Sequence, residues 1–471
     1  MVRAAALILS GNAVAALLLL ARNLIVARLV PVADYGIAAT FATVMMLVEM
    51  MSALGLQQQI VQAKTGEDPH FQAALQGFQV LRGLIAGLAL LGLAGPIAAF
   101  LGVPEVAWAY RLVALVPVLN ACVHFDIYRL NRQMRFWPMI LTGAVPALVS
   151  VIALWPLSLI YGDYKVMLYA VLVQAVLTVV TSHVVAERRF RLVLDRAIMT
   201  DSLRFGWPLL VNGILLFAVF NGDKLIVGRE MGMAALAIFA MGFTLTLTPT
   251  LVMAKSAQSF FLPQLSRLDQ STPDGRARFV HLALATMQVS LLNGALLVAG
   301  TALLGAPVVR LLLGGKYAAL VPLLIALAIL QAVRVAKTGG AVVALAGGHT
   351  GNAMLANLVR VATLPLAWVV LQQGGGLPQV IWIAAMGEVG GYALSLWLVR
   401  RGLALSLRPM ILPVALAAAF MVAAAVLPDW PGLPRWLPGV AMGLFFVAML
   451  GVMVDLRRYV AQRRTIARGK R

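Results

Sequence analysis

Apolar runs of about twenty residues, each long enough to cross the hydrocarbon core of a bilayer, follow one another along almost the whole of this chain. Inside lipid a backbone has no water to bond, so a spanning segment must be a helix or part of a closed barrel. Runs this long and continuous are the helical case. Fourteen are predicted, at roughly 5–27, 36–62, 78–101, 107–128, 138–160, 166–187, 207–228, 234–262, 280–303, 318–337, 353–373, 378–400, 410–428 and 436–456. Turn chemistry separates them: Pro31 with Asp34 and Gly36, Gly162–Asp163, Pro273–Asp274–Gly275, Gly374 to Gly376, and Pro428 to Pro434. The pattern is weakest over 320–360, where Gly339–Gly340 and Gly347–Gly348 interrupt it. The loops are too short to fold as separate domains, which leaves an extramembrane catalytic domain nowhere to sit. The first run, preceded by Arg3, resembles a signal peptide, but no A-x-A-like site ends it and it has a partner later in the chain, so it is expected to be a span.

Composition narrows the class further. The chain is 62% hydrophobic and 11% charged, whereas a soluble domain is about 45–50% apolar and about 25% charged. A soluble enzyme and a disordered chain are excluded. So is a nucleic-acid binder, despite the net charge of +20, because the basic residues lie between apolar segments and not on one water-facing surface. The single Cys122 excludes an internal disulfide and a cysteine-based metal cluster. His124 and His183 have no matched ligands at suitable spacing, so no metal and no cofactor are expected.

Lys and Arg in short loops set orientation. The loops that share a side with both ends of the chain carry 24 basic residues, from Arg3 and Lys64 through Arg129, Arg132, Arg135, the cluster from Arg188 to Arg204, Lys337 and Arg400 to the tail from Arg457. The opposite loops carry 7, Arg435 among them. Both termini are therefore expected to be cytoplasmic, which requires an even number of spans. The basic tail reads as a topological anchor in preference to a lipid- or nucleic-acid-binding arm. Across 187–205, Phe190, Leu194 and Ile198 recur every four residues among arginines, as in a helix lying in the membrane interface.

The chain also matches itself. Leu24-Ile25-Val26-Ala27-Arg28, with Ala33 and Ile37 beyond the turn, returns as Leu225-Ile226-Val227-Gly228-Arg229 with Ala234 and Ile238, each 201 residues later. That offset spans six helices, so the copies enter the membrane in the same direction, as in parallel repeats about an axis along the membrane normal. The expected fold is all-α: a polytopic membrane protein of about 14 transmembrane helices, two six-helix lobes in a parallel pseudo-two-fold repeat plus a C-terminal helix pair. The expected boundaries are 1–187 for the first lobe, 188–206 for an interfacial linker, 207–400 for the second lobe, and 401–471 for the last two helices and the tail. Repeated lobes are a carrier layout, with the substrate held between them and access alternating by rocking. A channel filter sequence is not apparent.

Charge within a span is costly and usually faces a cavity or a partner. Arg22, Arg82, Lys224, Lys255, Arg334 and Arg360 fall within the predicted spans, against Glu49, Asp126, Asp223 and Glu388. The excess of cations suggests a cavity built for an anion. Arg82 and Arg334 lie near the cytoplasmic ends, where snorkelling explains them. Arg22 and Lys224 lie near the outer ends, and Lys255 and Arg360 two turns in. Asp223 is either a neutralising neighbour of Lys224 or part of a coupling site. Glu388, beside Gly387, Gly390 and Gly391, is either a packed, protonated acid or a proton or cation coupling site. The eighth span is the most polar, and Thr244, Thr248, Lys255 and Ser259 form one stripe on it. Such a stripe is a water-facing wall unless its hydroxyls bond their own helix around Pro249.

With the segment Arg28-Leu29-Val30-Pro31-Val32-Ala33-Asp34-Tyr35-Gly36, the later Asp223-Lys224-Leu225-Ile226-Val227-Gly228-Arg229 and Phe261-Leu262-Pro263-Gln264-Leu265-Ser266-Arg267, the chain resembles bacterial polysaccharide-biosynthesis flippases of the multidrug/oligosaccharidyl-lipid/polysaccharide exporter superfamily. Val32–Ala33 stands where that family's loop commonly carries Glu after the proline. The resemblance implies an undecaprenyl-pyrophosphate-linked oligosaccharide as substrate, the bacterial inner membrane as location, membrane lipids as surroundings and polysaccharide polymerase machinery as a candidate partner. It also implies a cationic vestibule, in which Arg22, Lys224, Lys255 and Arg360 would hold the pyrophosphate, with Thr248 and Ser259 as hydroxyl partners and Glu388 and Asp223 as coupling residues. A drug/cation antiporter of the same superfamily would need several central acids, and a membrane enzyme acting on the same lipid would need a sizeable loop or an acidic metal site. The sequence supplies neither, so a transporter is expected in preference to an enzyme.

Overall fold

The structure is a computed structural model, and it describes the backbone of residues 2–52, 54–434 and 436–468, with side chains described from Val14 to Gln462 apart from positions 53, 429 and 435. Arg3, Arg435 and the basic residues beyond Gln462, which entered the loop-charge comparison, lie outside the described side chains. Among the described residues the secondary structure is helical, without a β-strand, as lipid requires.

The chain forms two compact units, residues 1–238 and 239–471. The first begins with α1 (Val2–Leu29), α2 (Val32–Ser52), the short α3 (Leu56–Gln62) and α4 (Pro69–Phe100). It continues with α5 (Ala107–Val113), α6 (Leu115–Ala121), α7 (Asp126–Arg132), α8 (Trp137–Ile160) and α9 (Lys165–Val184). Helix α1 packs on α8, α8 on α9, and α4 on α5 and α6. The element α10 (Arg196–Ser266) opens in the first unit and ends in the second. The second unit adds α11 (Pro273–Leu313), α12 (Leu324–Ala346), α13 (Asn352–Val361), α14 (Leu364–Gln372), α15 (Leu377–Gly402), α16 (Arg408–Val426), α17 (Leu437–Val452) and α18 (Val454–Arg468). Its centre is α12, which packs on both α11 and α15, while α13 packs on α15 and α16 on α11.

Ten helices among the described residues are long and apolar enough to span a membrane, or twelve if two bent pairs each count as one span. That number takes α10 as a single helix and does not include α1. Yet α10 is broken at Gly232, whose φ of 81° and ψ of 177° no helix contains. Gly232 stands 201 residues after Pro31, so the repeat places its two breaks at matching positions. Within the first unit the breaks also touch. A Cβ on Gly36 would lie 1.9 Å from the carbonyl oxygen of Met233, so only glycine allows this approach.

Two expectations are corrected. The span expected at 318–337 is present but runs longer, from a 3₁₀ stretch at Gly315–Leu323 through α12 to Ala346, so Gly339 and Gly340 lie inside α12. Those glycines are packing surfaces and not breaks: added Cβ atoms would meet Ser290 of α11 at 2.8 Å and Ser395 of α15 at 3.0 Å. Small residues at such crossings let helices approach closely. The interfacial helix expected over 187–205 does not start until Arg196; residues 186–195 are non-helical. This stretch is a strap over α4. The Val193 amide donates to Ala73 O at 3.1 Å, and Gly77 offers no side chain to obstruct it, since a Cβ there would lie 2.1 Å from Val193 O. Tertiary contact with α4 overrides the four-residue apolar period.

Candidate functional site: buried charges in the spanning helices

In the second unit, Glu388 is fully buried on α15. Its neighbours bring α13 within reach: a Cβ on Gly391 would sit 2.6 Å from Ala356 O, and one on Gly387 would sit 2.7 Å from Thr363 Oγ1. Helices α12 and α13 supply three cations to one carboxylate. Arg334 donates to Glu388 Oε1 through Nε at 2.9 Å and Nη2 at 2.8 Å. Lys337 donates to Oε2 at 2.6 Å and to Asn357 Oδ1 at 3.0 Å. Arg360 Nε stands 3.9 Å from Oε1, and its Nη1 donates to Thr363 Oγ1 at 2.8 Å. Gln331 Oε1 accepts from Arg334 Nη1 at 3.0 Å, and the Phe243 ring lies 5.6 Å from the same guanidinium. All four ionisable members are buried. Charge-assisted bonds in a medium of low dielectric are strong, and so is the cost of leaving any member unmatched.

Of the residues singled out in the sequence, this group contains Arg360 and Glu388. Arg334 and Lys337 were missed as site residues. Ending that span at 337 put Lys337 in a loop and Arg334 at a snorkelling position, whereas both lie mid-helix and buried. A signal was present: the two cations stand three apart, on one face of any helix that contains them, and Glu388 needed a partner.

The other predicted residues lie elsewhere. In the first unit Arg22 is buried and donates to Gln174 Oε1 of α9. Lys224, half-buried on α10, donates to Asn221 Oδ1 at 3.2 Å, and Asp223 beside it is buried. In the second unit Lys255 and Ser259 are exposed, and no described hydrogen bond or ion pair joins them to the Glu388 group. Thr248 is half-buried, and its hydroxyl donates to Thr244 O at 2.9 Å. Thr244, Thr246 and Thr250 likewise donate to the carbonyl four residues earlier, at 2.8, 2.9 and 2.9 Å. The threonines therefore bond their own helix, whereas Lys255 and Ser259 present an open polar face.

A second charged group lies at the end of the first unit. Asp126, at the start of α7, accepts from Arg129 Nε at 2.5 Å and from the strap amides of Glu187 and Arg188 at 2.8 and 3.2 Å. Glu187 then pairs with Arg135 at 2.6 Å and Arg129 at 3.2 Å. The Arg135 hydrogen bond, reinforced by Arg129, holds the Glu187 carboxyl below its ordinary value. Among the described residues no group of three metal-ligating side chains is present.

Helices in this order, with charge inside them, define a polytopic membrane protein with a transporter fold. Two solved structures share it: a lipid II flippase, MurJ, in an inward closed conformation (TM-score 0.70, 13% identity, 96% of this chain and 99% of that one), and an inward-facing multidrug-resistance transporter of the MATE family and MOP superfamily (TM-score 0.68, 15% identity, 83% and 95%). The chain belongs to the polysaccharide biosynthesis protein family, whose sequence profile matches residues 25–322. One relative, the succinoglycan biosynthesis transport protein ExoT of Rhizobium meliloti (strain 1021), is 24% identical over 417 residues, covering 84% of this chain and 82% of its own.

Proposed function

We propose that this protein flips an undecaprenyl-pyrophosphate-linked oligosaccharide from the inner to the outer leaflet of the bacterial inner membrane. It would do so by alternating access, for assembly of a surface polysaccharide such as O-antigen, exopolysaccharide or capsule. The observation that carries this reading is the predominance of cations over acids inside the spanning helices of a chain that belongs to the polysaccharide biosynthesis protein family. Names of relatives support it: one is a succinoglycan transport protein and another a lipid II flippase. A pyrophosphate crossing a medium of low dielectric needs fixed positive partners.

In this reading Arg22, Lys224, Lys255 and Arg360 attend the pyrophosphate, and Thr248 and Ser259 attend sugar hydroxyls. Lys255 and Ser259 suit the role because both are exposed and one helical turn apart. Glu388 and Asp223 are the coupling residues. The lobes are 1–187 and 207–400, joined by 188–206, with 401–471 appended; both termini are cytoplasmic, and the protein is a transporter and not an enzyme. The test is export of a defined lipid-linked sugar by the reconstituted full chain. The Lys255→Ala variant should lose about ten- to a hundredfold in initial rate, since one charge-assisted contact contributes about 1.5–3 kcal/mol, and the Lys224→Ala/Lys255→Ala variant should lose more. Normal export from that variant, at wild-type level in the membrane, overturns the mechanism.

A further inference from the structure

Away from the spanning charges, the strap of residues 186–195 and the start of α4 enclose a cavity of about 200 Å³. Its walls are Gln72 and Gln76 of α4, His124, and the strap arginines Arg188, Arg189 and Arg191. Asp68 already caps the α4 terminus by accepting from His70 N at 3.0 Å, so the helix end itself is not what makes the site.

The strap arginines do, and His124 stands behind them. His124 is 3% exposed, and its Nε2 is closed off from the cavity, beside the Arg188 backbone. The Asp126 amide donates to Nδ1 at 3.1 Å, which makes Nδ1 the acceptor of the neutral ring and puts the proton on Nε2. The rings of His183 and Phe190, centred 5.3 and 5.5 Å away, fix the imidazole plane. Arg188 is fastened as a wall, with Nη1 on Gln72 Oε1 and Nη2 on Glu67 O, both at 2.9 Å.

The carboxylates nearby are already engaged: Asp126 by Arg129 and the strap amides, Glu187 by Arg135, Glu67 by Arg129 and Arg132, and Asp195 by His70. Arg189 and Arg191 are exposed and are thus available to an outside anion. Between and beside them stand exposed apolar side chains: Val184 at the end of α9, then Leu192 and Leu194, 78%, 52% and 65% exposed. Arginines alternating with bare aliphatic side chains at the end of a spanning helix are an arrangement for the headgroup boundary.

We propose that this cavity is a binding site for the phosphate headgroup of an anionic phospholipid, with its acyl chains along Val184, Leu192 and Leu194. Arg188 lines the cavity that takes the phosphate, and Arg189 and Arg191 close over it from the strap. The volume suits a phosphate and not a nucleotide. Such a lipid would pin the strap to α4 and so tie the linker between α9 and α10 to the membrane surface.

The test titrates the full chain in neutral detergent with short-chain phosphatidylglycerol, the matching phosphatidylcholine, and inorganic phosphate. Phosphatidylglycerol should bind saturably and phosphatidylcholine should not. The Arg189→Gln/Arg191→Gln variant, changed only at exposed positions, should bind phosphatidylglycerol about tenfold or more weakly. The Arg457→Gln/Arg458→Gln variant, which loses equal charge elsewhere, should bind as wild type does. Equal binding of the two lipids overturns the proposal, and so does equal weakening in both double variants, which would reduce it to unspecific attraction. Inorganic phosphate that displaces phosphatidylglycerol at equal concentration would make the site one for a soluble phosphate, which also overturns the lipid assignment.

Discussion

Asp126 in the first unit and Glu388 in the second are both fully buried carboxylates held by arginine, yet their partners differ in charge. Asp126 is matched by one cation, Arg129 three residues on, which also pairs with Glu187, and by two uncharged backbone amides of the strap, of Glu187 and Arg188. Glu388 is matched by three side chains of α12 and α13 that all carry charge of their own. The first arrangement fastens a strap, and the second holds three helices together through mutual neutralisation. The difference shows that a buried acid is as replaceable as its partners are neutral.

The largest expected effect tests that directly. Glu388→Gln leaves Arg334, Lys337 and Arg360 buried around a neutral amide. Breaking one side of a buried pair costs about 3–5 kcal/mol. Asp126→Asn keeps an oxygen for the strap amides and should cost less, about 1–3 kcal/mol. Thermal unfolding of the two variants in the same detergent orders them, and an equal or larger fall for Asp126→Asn breaks the comparison. Where Glu388→Gln remains folded, its transport should lose dependence on a proton gradient; full retention of that dependence removes Glu388 from coupling.

The comparison sharpens with a second change. In the Glu388→Gln background, Lys337→Met removes one uncompensated cation and fills its volume. It should recover about 1–3 kcal/mol of what was lost, as coupled neighbours do, whereas Lys337→Met alone should destabilise. Additive losses from the two would mean that the lysine and the glutamate are independent.

A smaller effect is expected where only geometry is at stake. Gly391→Ala puts a Cβ 2.6 Å from Ala356 O, so α13 must move from α15, at about 1–3 kcal/mol for overpacking. Gly143→Ala, where a Cβ meets nothing within 4 Å, should be neutral or slightly stabilising, since alanine favours helix. Similar unfolding temperatures for the two would show that the close approach at Gly391 contributes nothing.

Much of the fold was legible because lipid makes hydropathy a direct record of helix placement. The break at Gly232 coincided with the repeat because both express one turn used twice. What was not legible depended on partners remote in sequence. Gly339 and Gly340 look like breakers unless Ser290 and Ser395 are known to stand against them. Arg334 and Lys337 look like end-of-helix cations until α12 is followed through to Ala346. Phe190 and Leu194 keep helical spacing, yet the strap is drawn out by Ala73 O and the bareness of Gly77. At the candidate site, the residue types were visible and their grouping was not.

The smallest expected effect concerns α10 after its break, the most polar of the spans read from the sequence. Thr250 is buried, and its hydroxyl donates to Thr246 O, a carbonyl of its own helix. Such a bond patches the backbone near Pro249 and links no second element. Thr250→Val keeps the branched shape and gives up only that bond, at about 0.5–1.5 kcal/mol. Thr248 makes the same kind of bond but is half-buried one turn after Thr244, on the face shared with Lys255 and Ser259. If that face meets the sugar, Thr248→Val should slow export severalfold while its unfolding temperature matches that of Thr250→Val, whose export should be normal. Equal export from both variants would leave the threonines as backbone patches and confine recognition on this helix to Lys255 and Ser259.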